Sequence, residues 1–407
     1  MSFTIYLLEL VAFLDLLAVS LIVPLLPQHV RKLGGNEIYV GLLGSVYAGF
    51  QLISGPLLGS LSDLKGRKPV LETTMLLCSL AYVTLGLTNS ILVIIAMRAV
   101  LGIFKQTQVQ TKALVSDYIP NERKQGAVYG EMAAISGLGM TLGPLIGGHI
   151  AEDHPENGFA LVGALVGLCF ALNACLVYCL PKPLKKQTRK SATSANHNNI
   201  LNKLYTSVKQ SFLELYHIKW SKYWDIFMFK ALVGFAMGVY YSNYSTYLRS
   251  EFGLSPKYIG YVISFQGVIG SLSSFFMGFI NSFYLNDKDY SVRNFHVFLL
   301  LSTSIIGMVL SFNIFVYSIW LIPLAIGNAI GRLVTLEMVL KRGDGDHTGT
   351  LIGASNSVRS MAGVVAPMAT GIISQYVGVS YVIYASLSST LLGLVLSYRH
   401  KNKLKVE

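Results

Sequence analysis

The sequence predicts an all-α membrane protein: twelve transmembrane helices in two pseudo-symmetric six-helix bundles. Three observations predict it. The 407 residues are 53% hydrophobic and only 13% charged, against roughly 25% charged in a soluble chain. Apolar runs recur along the whole chain, each long enough to cross ~30 Å of hydrocarbon at ~1.5 Å per residue. Small and aromatic residues also repeat between the halves. Gly34, Tyr39, Gly41 and Gly59 recur at one constant offset as Gly253, Tyr258, Gly260 and Gly278. Gly130, Pro144 and Gly148 recur at a second as Gly353, Pro367 and Gly371, and at that offset Ala362 and Ala366 stand where Gly139 and Gly143 stood. Small residues aligned with small residues indicate one helix-packing task performed twice.

The runs fall at about 4–26, 39–62, 69–88, 90–113, 124–151, 158–180, 223–248, 257–284, 292–313, 315–340, 348–376 and 378–398. The first has no basic flank, and Glu9 and Asp15 interrupt it, so it reads as a spanning helix and not as a cleaved signal. Between the sixth and seventh runs lies a Lys-, Ser- and Asn-rich stretch, with an amphipathic pattern over 201–219. This gives an N-terminal bundle over 1–180, a cytoplasmic linker over 181–222, a C-terminal bundle over 223–398 and a cytoplasmic tail over 399–407.

Charge sets the topology. Of the 32 Lys and Arg, only Arg31, Lys32, Arg249 and Lys257 lie in loops on one side, and Arg98, Lys105, Lys112, Lys230, Arg332 and Arg359 lie within spans or at their ends. The rest fall on the side of Lys65, which places both termini in the cytoplasm of a multi-pass protein. Plasma membrane and endomembrane stay open, although the final Lys403-Leu404-Lys405-Val406-Glu407 has the form of a dilysine retrieval signal as well as of a basic tail. The net charge of +12 is explained by these loops, so no nucleic-acid partner is expected. Cys78, Cys169, Cys175 and Cys179 all lie in apolar runs without metal or disulfide spacing. No phosphate loop, nucleophile elbow, zinc spacing or haem motif is present, so neither an enzyme nor a cofactor or metal is expected.

The second run ends in Gly59-Ser60-Leu61-Ser62-Asp63-Leu64-Lys65-Gly66-Arg67-Lys68. Gly66 lets the backbone reverse, Asp63 can pair with Arg67, and Arg67 and Lys68 hold the turn in the cytoplasm. The fifth run carries Gly130-x8-Gly139-x3-Gly143-Pro144-x2-Gly147-Gly148: a flat glycine face, with a proline that removes one backbone donor. The fourth carries Arg98-Ala99-Val100-Leu101-Gly102. These three stretches resemble, respectively, the loop between helices 2 and 3, the helix-5 antiporter motif and the helix-4 RxxxG element of the major facilitator superfamily. The tetracycline:proton branch shares the helix-5 motif, and a metazoan orphan branch is more similar through FLDLLAVSLIVPLLPQHVRKLGG and RAVLGIFKQT. The fourth run departs from the family pattern, with Ile103, Phe104 and Lys105 in place of small residues.

The resemblance implies a secondary transporter of a small organic solute, working by alternating access as 1–180 rocks against 223–398, with proton-coupled antiport as one mode. It implies that helices 1, 4, 7 and 10 line the central cavity. The charges on the matching runs are Glu9, Asp15, Arg98, Lys105, Lys112, Lys230, Arg332 and Glu337, a basic excess that favours an anionic or zwitterionic solute. Arg98, Lys105 and Lys112 are spaced by seven and so share nearly one helix face. Arg359 and Glu131 are assigned to helices outside the cavity. Asp15, Arg98, Lys105, Lys230 and Arg332 are the candidate substrate and proton residues. Asp15 reads either as a structural ion pair with Arg98 or Lys105, or as a coupling carboxylate. Asp63, Gly66, Arg67, Lys68, Asp117 and Arg123 are the candidate cytoplasmic gate, with Asp117 facing Arg67 or Arg123. Gly139, Gly143, Pro144, Gly147 and Gly148 form the candidate helix-5 hinge, at the surface where the halves rock. The expected partners are the lipid bilayer, the solute and protons, and the expected state is a monomer. The competing reading is a receptor or trafficking scaffold that keeps the fold without transporting.

Overall fold

The computed structural model describes residues 2–119, 121–181, 220–284, 287, 289–343 and 348–406. The linker with its amphipathic stretch 201–219, the turn 344–347, the Arg123 side chain and the side chains of the dilysine-like tail lie outside the described residues. The described chain is helical, apart from turns. The N-terminal helices are α1 (Ser2–Ile22), α2 (Leu26–Lys32), α3 (Glu37–Lys65), α4 (Arg67–Leu87), α5 (Ile91–Phe104), α6 (Thr107–Tyr118), α7 (Glu122–Asp153) and α8 (Gly158–Cys179). After the linker come α9 (Trp220–Phe252), α10 (Pro256–Phe275), α11 (Met277–Ser282), α12 (Ser291–Val309), α13 (Ile314–Gly343), α14 (Thr348–Tyr376) and α15 (Val382–Val406).

Among the described residues, nine helical stretches are long and apolar enough to cross a membrane. Three further long stretches stand where the sequence places spans seven, eight and eleven: α9, α10 with α11, and α14. Their Tyr, Ser and Gly content keeps them below that hydropathy. The expected runs differ from the helices in four places, the last helix running to Val406 where the twelfth run ends at 398. The fourth run breaks at Lys105-Gln106 and continues to Tyr118, the eighth breaks at Phe276, and the first stops at Ile22 before the short α2.

The chain divides into two compact units: Met1–Leu26 with Phe50–Tyr216, and Pro27–Gly49 with His217–Glu407. In the first, α1 packs along α7 and α4 along α8. Both seams depend on missing Cβ atoms. A Cβ on Gly139 would lie 2.6 Å from the Phe13 carbonyl oxygen, and one on Gly86 would lie 2.8 Å from the Gly163 Cα. In the second unit, α9 packs on α14 and α15, and α12 packs on α13 and α15. Gly234 and Gly238 of α9 receive Ala362 and Ala366 of α14 there. Gly139 and Gly143 and their counterparts Ala362 and Ala366 thus occupy equivalent seams, α7 on α1 and α14 on α9.

The first part of α3, up to Gly49, belongs to the second unit by its contacts. A Cβ on Gly41 would lie 2.9 Å from the Gly371 Cα, and Ser45 Oγ donates to the Val364 carbonyl at 2.6 Å. Arg31 donates to Glu37 Oε2 at 2.8 Å and to Thr246 Oγ1 at 2.9 Å, which ties α2 to α9 in the same unit.

Candidate functional site

The fourth span breaks without a glycine or proline. Phe104 ends α5, and Lys105 leaves the helix with ψ 53°. Gln51 and Ser54 of α3 satisfy the freed backbone, as irregular structure inside a membrane requires. Gln51 Nε2 donates to the Lys105 carbonyl at 3.2 Å, and Gln106 Nε2 donates to the Gln51 carbonyl at 2.8 Å and to Ser54 Oγ at 3.2 Å. Ser54 Oγ in turn donates to the Gly102 carbonyl at 3.1 Å. A helix interrupted at depth is the arrangement by which transporters expose polar groups to a cargo.

The break aims Lys105 at α1. Its Nζ donates to Asp15 Oδ1 at 2.7 Å and to Thr107 Oγ1 at 2.8 Å, and Thr107 Oγ1 donates to the same Asp15 oxygen at 2.7 Å. Asp15, Lys105 and Thr107 are 1%, 6% and 0% exposed. The Phe170 ring, stacked on Tyr82, faces the ammonium at 5.3 Å and softens its loss of water. Asp15 Oδ2 is buried without a hydrogen-bond partner among the described residues. Of the two partners left open for Asp15, the ion pair forms with Lys105. Arg98 is buried on α5. The break also overturns the single face drawn through Arg98, Lys105 and Lys112, because Lys112 follows it on α6 and is exposed. Nearer the N-terminus of α1, the buried Glu9 carboxyl is within hydrogen-bond reach of Glu131 on α7.

In the second unit Lys230 (α9), Arg332 (α13) and Arg359 (α14) converge. These three helices pack against one another, and the charges that act on Lys230 are those of the two arginines, while Arg332 and the Tyr241 hydroxyl act on Arg359. Asn328 Nδ2 donates to Tyr241 Oη at 3.2 Å beside them. The sequence assignment took Lys230 and Arg332 and left out Arg359. Its position near the middle of its run was the signal that could have included it. Tyr240, Asn243, Tyr244, Tyr247 and Tyr317 line a crevice of about 10 Å³, the space of a single water rather than a solute.

At the turn between α3 and α4, Gly66 adopts φ 104°, a conformation that costs any side chain. Arg67 is the centre of this turn. Its Nη1 donates to Asp117 Oδ1 at 2.9 Å, to Ser116 Oγ at 2.8 Å and to the Ala113 carbonyl at 2.7 Å. Asp63, mostly exposed, lies 3.3 Å from Nη2. Of the two arginines weighed for Asp117, Arg67 is the one seen. Lys68 caps α8 by donating to the Tyr178 carbonyl at 2.9 Å and the Leu180 carbonyl at 2.5 Å. Its role as a tie between α4 and α8 was not legible in the sequence.

The helix-5 glycines form the packing face expected of them, against α1. Gly139, Gly143 and Gly147 meet Phe13, Leu17, Ser20 and Leu21 of α1, within their own unit. Ser20 Oγ donates to the Gly139 carbonyl at 3.1 Å across that seam. Gly148 and Pro144 are buried, and α7 runs through Pro144 without a break. The face is a tight packing seam because each absent Cβ lets α1 approach to backbone contact.

Buried charge on spanning helices, an interrupted helix and glycine seams define a multi-pass membrane transporter and not an enzyme. The profile of the Major Facilitator Superfamily matches residues 8–367, and the chain belongs to that superfamily. It is 25% identical over 398 residues to the quinolone resistance protein NorA of Staphylococcus aureus, a match covering 97% of this chain and 96% of NorA. Over 182 residues it is 31% identical to the class E tetracycline resistance protein of Escherichia coli, a match covering 44% of each chain. The fold is that of a bacterial homologue of the human lysosomal transporter Spinster, inward-facing and unoccupied (TM-score 0.75, 15% identity, 97% and 95% of the two chains). The human organic anion transporter MFSD10 also shares it (TM-score 0.65, 18% identity, 97% and 98%).

Proposed function

We propose that this secondary transporter moves a small organic solute by alternating access in exchange for protons, with both termini in the cytoplasm and a monomer as the working unit. The observation that carries the reading is Asp15: an acid buried in a spanning helix, held by Lys105 and Thr107 at a helix break. An intramembrane acid is costly and is retained where it does work. A proton on Asp15 and the ammonium of a zwitterionic solute against it are mutually exclusive occupants, the elementary requirement for exchange. Asp15, Arg98 and Lys105 in one unit, and Lys230 and Arg332 in the other, are assigned to solute and proton. Their basic excess suits an anionic or zwitterionic solute. Glu9 with Glu131 is a further candidate proton carrier, since adjacent carboxyls can pass between doubly ionised and proton-sharing states. Asp63, Gly66, Arg67, Lys68 and Asp117 are assigned to the cytoplasmic gate; Arg123 is assigned with them from the sequence alone. The similarity to drug-resistance relatives across nearly the whole chain supports exchange as the mode, and placement in the metazoan orphan branch is part of the same reading. The test is solute flux in proteoliposomes with Asp63→Asn alongside wild type. The gate assignment expects flux to fall further than the amount of folded protein, and unchanged flux refutes it.

A further inference from the structure

Among the described residues, Lys230, Arg332 and Arg359 are three cations without a counter-ion. None of them has a carboxylate or any other hydrogen-bond partner among those residues, and the acids five positions away on α9 and α13 stand by other arginines. Asp225 takes Arg342 at 2.5 Å, and Glu337 lies 4.0 Å from Arg293. The three stand at one depth. Each lies ten or eleven residues from the linker-side end of its helix, Trp220 for α9, Gly343 for α13 and Thr348 for α14. At ~1.5 Å per residue this is about 15–17 Å in, near the middle of a ~30 Å hydrocarbon layer. Lys230 is 9% exposed, and the side chains of both arginines are exposed on the second unit. A mid-membrane cation on lipid is costly, so three that face one another mark a hydrated polar path. Like charges so placed destabilise the protein unless something negative joins them.

We infer that Lys230, Arg332 and Arg359 form a binding site for the anionic group of an organic solute, a carboxylate, sulfonate or phosphate ester, with Tyr241 and Asn328 beside it. This deepens the transport reading and rests on it. The arginine forks suit a planar or tetrahedral oxyanion. The aromatic body of such a solute has a ring to meet in Tyr241, which is 44% exposed and held edge to face by Tyr240 and Tyr244. Arg359 enters the site on this argument alone, since cavity helices were expected to exclude α14.

The experiment is thermal unfolding of the full-length purified chain with phenyl phosphate, benzenesulfonate or benzoate, against benzyltrimethylammonium and benzyl alcohol. Arg359→Gln and Lys230→Met run in parallel. The expected result is saturable stabilisation by at least one anion and not by the cation or the alcohol. Apparent affinity should fall roughly tenfold or more in each variant, the loss of one charge-assisted contact. Each variant without ligand should melt at or above the wild-type temperature, because removing one cation relieves repulsion. A variant that melts lower and keeps its anion response overturns the proposal, as does equal stabilisation by all five compounds. Nanodiscs of phosphatidylcholine with and without phosphatidylglycerol separate the two sources of anion. Stabilisation that requires phosphatidylglycerol, with no response to the soluble anions, assigns the cations to a lipid headgroup and overturns a solute site. Flux separates this inference from the transport reading: transport of cations alone refutes the site and leaves transport standing, whereas anion binding without flux of any solute refutes transport and leaves the site standing.

Discussion

Replacing Asp15 with Asn leaves the Lys105 ammonium buried beside a neutral amide. In the native chain that ammonium sits 2.7 Å from Asp15 Oδ1, with Lys105 6% and Asp15 1% exposed, so water screens the pair little. Removing one partner of a buried pair typically costs ~3–5 kcal/mol, mostly the stranded charge. Thr107 and the Phe170 ring still face Lys105, and the amide oxygen still accepts, which puts the expected loss near the lower end, about 3 kcal/mol. Lys105→Met strands Asp15 instead and should cost about as much. The double variant buries no charge at all and should recover most of the loss, leaving a coupling of roughly 2 kcal/mol or more. The assay is a double-mutant cycle on unfolding of the purified protein in one detergent. An Asp15→Asn variant as stable as wild type, or a cycle with no coupling, would refute the buried pair.

Three other outcomes follow from the geometry. Gly139→Val should destabilise the first unit by about 1–3 kcal/mol, because the new Cβ must stand off the Phe13 carbonyl and overpacked seams cost that much. The melting temperature checks it, and Gly126→Ala, with open space around it, is the control. Gly66→Ala should cost about 1–2 kcal/mol, since φ 104° penalises a Cβ. Arg67→Lys should reduce flux more than stability. An ammonium cannot reproduce the contacts made by the guanidinium to Asp117, Ser116 and Ala113, and flux equal to wild type would show that those contacts do not gate.

Much of the fold is legible in the sequence because a bilayer leaves a spanning chain few options. Apolar length and positional charge bias suffice to draw spans, and the recurrent small residues anticipate the seams of α7 on α1 and α14 on α9. What escapes is set by side chains distant in the chain. The break at Lys105-Gln106 has no local signal; it depends on Gln51 and Ser54 of α3 satisfying its backbone. For the same reason spacing by seven misleads for Lys112, since periodicity has no meaning across a break. Asp15 and Lys105 stand out as buried charges, but Thr107 becomes part of the set only when α6 restarts beside α1. Arg359 reads as a lone charge on a peripheral run until Lys230 and Arg332 stand next to it.

The most direct test of exchange is the luminal pH of proteoliposomes loaded with a pH-sensitive dye, recorded when an organic anion, zwitterion or cation is added outside. Exchange predicts that at least one solute alkalinises the lumen as protons leave against it, and that Asp15→Asn, shown to be folded, abolishes the signal. A lumen that acidifies with the solute, or a folded wild-type protein that gives neither a pH change nor solute uptake with any class, would contradict it.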